Sequence, residues 1–197
     1  MTEKEILHHY LRVQRDALVS KLHGLGEYDV RRPLVPTGTN LLGIVKHVSF
    51  VQYGYLGDCF GRPSGIPTPW EQAPDDPDAD LWVPAGESRN EVMERFDRSC
   101  EHADATIADL ELEAGGEVWW WPEERRDPDL RTVIIHMVVE MARHAGHADI
   151  LREAIDGSVG YTPGNANLPD RDDAGWAAHR ARVEAAALEA ARLADGG

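Results

Sequence analysis

The sequence predicts an all-α fold: a four-helix bundle with an extra C-terminal helix. Apolar residues recur at helical spacing in four long segments, and strand-like runs are short, with none of the strand–helix alternation of a βαβ unit. Proline, glycine and acidic residues gather in the stretches between those segments. The 197 residues read as a single domain, 1–197, with a core over about 1–157 and an extension over 158–197. A chain of this length buries roughly 70% of its unfolded surface. It therefore needs no disulfide, and Cys59 and Cys100 form neither a CxxC pair nor a bridge framework.

The first helix is expected over 3–24, where Ile6, Leu7, Tyr10, Leu11, Val13, Leu18 and Leu22 recur before Gly24 and Gly26. The second opens after Thr39 or Asn40, either of which can cap it, and runs through "LLGIVKHVSFVQYGYLGDCF". It is apolar on most of its circumference, so it should be central. Residues 61–87 combine Pro63, Pro67, Pro69, Pro74, Pro77 and Pro84 with Glu71, Asp75, Asp76, Asp78, Asp80, Trp70 and Trp82. That composition makes a long loop, and loops of such length are often functional. Ser88 and Glu91 have capping-box spacing and begin the third helix. A loop containing Trp119, Trp120 and Trp121 leads to the fourth, which ends at Gly157. The Ala-rich stretch "AGWAAHRARVEAAALEAARL" is the terminal helix.

With 20 Lys and Arg against 35 Asp and Glu, the formal charge is −15. Phosphate backbones and anionic lipid surfaces are repelled by such a chain, so nucleic-acid and membrane partners are not expected. The N-terminal residues lack the apolar run of a signal peptide, and no segment reaches membrane-spanning length. A cytoplasmic protein is expected, as a monomer or a homodimer.

The fourth helix carries "HMVVEMARHAGHADILRE", in which His136, Glu140, His144 and His147 fall at spacings of four, four and three. At about 100° per residue they occupy an arc of about 80°. A polar stripe on a helix is commonly a solvent face, made of Lys, Glu, Arg and Gln. Imidazoles and a carboxylate are instead ligands for borderline transition metals. Val139, Ile150 and Leu151 flank the stripe, so the helix reads as apolar nearly all round and buried. Neighbours at i and i+4 or i and i+3 can share one ion: Glu140 with His144, His136 with Glu140, or His144 with His147. A further ligand must come from another helix, and His47 is the histidine of the second. Helices two and four should then be adjacent, with the 61–87 loop and the Trp119–Trp121 segment near one end.

"TNLLGIVKHVSFVQYGYLGDCFGRP" and "HMVVEMARHAGHADILREAIDG" together resemble the DinB-like metalloprotein superfamily, in its DUF664 branch, over roughly residues 1–175. The resemblance implies a four-helix bundle with a divalent-metal site, zinc or nickel, held by His47, Glu140 and His144. It places His147 on the open side of the ion as a catalytic group, and His136 as an outer partner or alternative ligand. The implied activity is transfer of a low-molecular-weight thiol, mycothiol above all, to a small electrophile. A non-catalytic metal- or ligand-binding protein and a metal-dependent hydrolase are the other readings.

Overall fold

Side-chain caps set where the long helices begin. In a computed structural model, which describes residues 1–162 and 164–195, Thr2 and Glu5 form a reciprocal capping box at the start of α1 (Glu3–Ser20). A short helix, α2 (Glu27–Arg31), precedes α3 (Leu41–Leu56), whose first turn is capped by Asn40 Oδ1 accepting from the Gly43 amide at 2.8 Å. One turn of helix, α4 (Pro69–Gln72), interrupts the following loop. Ser88 and Glu91 box the start of α5 (Arg89–Asp109). Asp129 caps α6 (Leu130–Asp156), and Gly157, at φ +75°, ends it in the left-handed conformation that glycine adopts most readily. The chain finishes with α7 (Asp173–Asp195). Among the described residues every regular element is helical, and none is long and apolar enough to cross a membrane. Of the 158–197 extension, residues 163, 196 and 197 lie outside the described residues.

Helix boundaries differ from the sequence reading at two ends. The first helix stops at Ser20 and continues as turns to Gly24. The second stops at Leu56, because Gly57 turns the backbone and a 3-10 turn, Asp58–Phe60, follows.

Cross-helix contacts fix the directions of α1, α3, α5 and α6. At one end of α1, Lys4 Nζ donates to the Leu110 carbonyl at 2.6 Å, and at the other Arg89 donates to the Leu22 carbonyl at 2.6 Å, so α1 and α5 are antiparallel. Glu3 meets Arg131 at 2.9 Å and Lys21 meets Asp149 at 2.7 Å, so α1 and α6 are parallel. Lys46 pairs with Glu87 at 3.2 Å and Gln52 Nε2 donates to Ser99 Oγ at 2.8 Å, so α3 runs parallel to α5. The rings of His47 and His144 are 4.9 Å apart and those of Tyr55 and His136 4.6 Å apart, so α3 opposes α6.

Parallel α3 and α5 require the intervening chain to return along the whole of α3, roughly 24 Å at 1.5 Å per residue for its 16 residues. This is what the proline-rich loop does. It was expected near one end of the bundle; instead it leaves the C-terminal end of α3, where Ser64 to Glu71 face Trp119 and Trp120, and returns to the N-terminal end. There it is tied down closely. Asn40 Nδ2 donates to the Leu81 carbonyl at 3.4 Å, Lys46 Nζ to the Trp82 carbonyl at 3.0 Å, and Arg31 Nη2 to the Glu87 carbonyl at 2.9 Å. A Cβ on Gly43 would lie 2.0 Å from the Leu81 carbonyl oxygen, so only glycine permits this approach.

The core lies between the four long helices, with Leu11, Leu18, Leu42, Val45, Ile107, Ile134, Met137 and Met141 buried. α6 is less enclosed than its composition suggested. Val139 and Ile150 are 62% and 67% exposed while Leu151 is buried, because α6 packs chiefly on α1 and α3. None of the side chains described in α7 is buried.

Candidate metal centre

Antiparallel packing of α3 on α6 brings His47 opposite Glu140 and His144. One donor atom from each of the three lies within 4.8 Å of the others. Glu140 Oε1 sits between the two imidazoles, 3.1 Å from His144 Nε2 and 3.7 Å from His47 Nε2. With metal–nitrogen bonds of about 2.0 Å, adjacent ligands of a tetrahedral ion stand about 3.3 Å apart, and the two measured separations bracket that value. Two imidazoles and a carboxylate from two helices, all partly buried, are a donor set that fits a borderline divalent ion and leaves further positions open.

Behind His47 stands a residue that the sequence reading did not single out. Asp80 Oδ2 lies 2.5 Å from His47 Nδ1, and the Asp80 side chain is buried. A carboxylate on Nδ1 holds the proton there and turns the Nε2 lone pair toward Glu140, the arrangement common behind metal-binding histidines. Asp80 sits in the returning segment beside Leu81 and Trp82, so the tethers to Asn40 and Lys46 also position the carboxylate.

The electrostatics of the cluster favour a cation. Burial disfavours a charged His47, but Asp80 and Glu140 outweigh it and lift the imidazole from 6.5 to about 9. The neighbouring His144 and His47 imidazoles pull Glu140 well below the usual carboxylate range, against the opposing effect of burial. The same negative potential that retains a proton on His47 attracts a metal ion.

The stripe divides at this point. His147 stays beside the cluster, its ring 5.6 Å from that of His144. Both line a cavity of about 710 Å³ with Thr37, Asp76, Asp78 and Trp82. Burial, then His144 and Arg143, lower the pKa of His147, leaving its imidazole neutral near pH 7. His136 lies one turn beyond Glu140 and packs instead against Tyr55 and Trp121, with ring centroids at 4.6 and 5.1 Å. It is not among the three clustered residues. Burial lowers its pKa, with Glu140 partly opposing.

Because Gly43 admits the Leu81 carbonyl, Gly43→Ala is expected to push the returning segment outward and take Asp80 off His47. The overpacking should cost about 1–3 kcal/mol. Thermal melts and metal content of the purified variant check this; native metal content would dissociate the loop from the centre.

The sequence model of the family described as Mycothiol-S-transferase (MST) matches residues 6–157. No curated protein matches the chain.

Proposed function

The chain belongs to the mycothiol-S-transferase family, and from that premise we propose that it joins a low-molecular-weight thiol, mycothiol first, to a small electrophile at a divalent ion held by His47, Glu140 and His144. The observation that carries this reading is the His47–Glu140–His144 cluster, with its donors within 4.8 Å, opening beside His147. Zinc or nickel bound there would act as a Lewis acid, lowering the proton affinity of a thiol at neutral pH.

The remaining chemistry belongs to the chain. Asp80 accepts a hydrogen bond from the Nδ1–H of His47 and fixes that ring, so the donor set is organised before any ligand arrives. His147, neutral and at the cavity wall, accepts the thiol proton as the new sulfur–carbon bond forms and returns it to the leaving group or to the product. Trp82, held by its indole N–H donating to Asp76 Oδ2 at 2.9 Å, forms one wall of the cavity.

The test is conjugate formation. Metal-loaded protein incubated with mycothiol and a bimane electrophile should form the thioether, and metal-stripped protein should not. Metal binding without turnover for mycothiol, bacillithiol or glutathione would favour a binding protein instead. Adding the ion at a hundredfold excess over its dissociation constant should also stabilise the fold by about 2.7 kcal/mol, read as a rise in Tm. An unchanged Tm would mean that no folded-state site exists.

A further inference from the structure

At the far end of α3 from its Asn40 cap lies a second cavity, of about 500 Å³, that the transfer chemistry does not use. Val51, Gly54, Tyr55 and Asp58 follow His47 at four, seven, eight and eleven residues, so they continue its face along the helix and into the 3-10 turn. Its aromatic lining includes Tyr53, Tyr55, Trp70, Trp119 and Trp120. Three of these are tryptophans 42%, 53% and 45% exposed, so core packing does not account for them.

The aromatic walls are fixed in place. Trp120 and Trp121 both donate their indole N–H to Tyr55 Oη, at 3.0 and 2.9 Å. Trp119 and Trp120 meet at 90° with centroids 4.5 Å apart, forming a corner of two π faces. The charged groups that line the cavity are Asp58 and Glu71, both acidic, and among the described residues no Lys or Arg lines it. Glu71 closes the cap of α4 through one oxygen, Oε2, which accepts from the Thr68 amide and hydroxyl at 2.7 and 3.0 Å. Among the described residues no group donates to the Asp58 carboxylate, and burial pushes its pKa up, with His102 opposing and Glu71 adding to the rise. The guanidinium near Phe50, that of Arg95, is paired with Glu87 at 2.6 Å.

We propose that this cavity is a binding site for a small organic cation, an alkylated ammonium, taken up between the indole and phenol faces and neutralised by Asp58 and Glu71. A neutral aromatic ligand would use the faces and leave the half-buried Asp58 carboxylate without a cation to pair with in the cavity; an anion is repelled outright. The site is separate from the metal cluster and does not depend on the transferase reading.

The probes are choline and benzyltrimethylammonium, each compared with its neutral isostere, 3,3-dimethylbutan-1-ol and neopentylbenzene. Binding to the full chain is followed by tryptophan fluorescence and calorimetry. At least one cation should bind saturably and about tenfold more tightly than its isostere. Asp58→Asn should remove that preference, and Trp120→Leu, at an exposed position, should weaken binding of the cation about tenfold. His144→Ala should leave the cation affinity unchanged, which separates failure here from failure of the metal reading. Equal affinity for cation and isostere, no saturable binding of either cation, or binding insensitive to Trp120→Leu would overturn the proposal.

Discussion

His144→Ala is expected to yield a folded protein that retains no metal through purification. Glu140 Oε1 lies 3.1 Å from His144 Nε2 and 3.7 Å from His47 Nε2, so removing His144 leaves two donors and a gap on the α6 side. Two residues do not hold a divalent ion against dialysis when the site is built for three. The loss should exceed the roughly 10- to 100-fold in affinity that follows removal of an outer partner. Asp80→Asn supplies that smaller comparison, because it keeps the shape behind His47 and removes the charge. His147→Ala should retain the ion and lose on the order of 10²-fold in turnover, the worth of one proton-transfer group. Elemental analysis after dialysis, chelator competition and the thiol assay separate the three variants. If His144→Ala and the parent protein carry equal metal, the ligand assignment is wrong.

What made the His47–Glu140–His144 cluster readable is that two of its members share one helix. Glu140 and His144 are four residues apart, and the helical repeat places them together whatever the rest of the fold does. The caps at Asn40 and Ser88 are local in the same sense, each satisfied within three residues. Asp80 is the opposite case. In sequence it is one of several acids in the 71–80 stretch, and Asp75, Asp76 and Asp78 carry the same chemistry. It alone turns inward onto His47 because α3 and α5 run parallel, the connection returns along α3, and Gly43 lets the Leu81 carbonyl reach the first turn. None of these three causes has a local sequence pattern. The same long-range packing sends His136 to Tyr55 and Trp121 although its spacing matches that of its neighbours, and leaves Val139 and Ile150 exposed.

Asp104→Asn is expected to be among the most destabilising single changes outside the candidate metal centre, by roughly 2–4 kcal/mol. Arg15 is 3% exposed, and its Nη1 donates to Asp104 Oδ1 at 2.5 Å. Its Nε and Nη2 have no hydrogen-bond partner among the described residues, so Asp104 is the carboxylate that compensates a buried guanidinium. His8 adds a contact to the same oxygen at 2.8 Å. The amide of asparagine keeps the volume and removes the charge, which leaves Arg15 buried and uncompensated; that condition is costlier than the pair is favourable. The reverse change, Arg15→Met, leaves a carboxylate that is about one-third exposed and able to hydrate, so it should cost less. The pH dependence has a definite sign. Burial would raise the Asp104 carboxyl, but Arg15 and then His8 hold it below the ordinary value. A carboxylate depressed in the folded state stabilises above its unfolded pKa of about 3.9, and that stability is lost as pH falls through the folded value. Melts of the parent protein should therefore decline in acid below about pH 4 more steeply than those of Asp104→Asn, whose deficit at pH 7 should narrow toward pH 3. A variant that tracks the parent at a constant offset across this range would show that the Arg15–Asp104 charge pair is not the source of the difference.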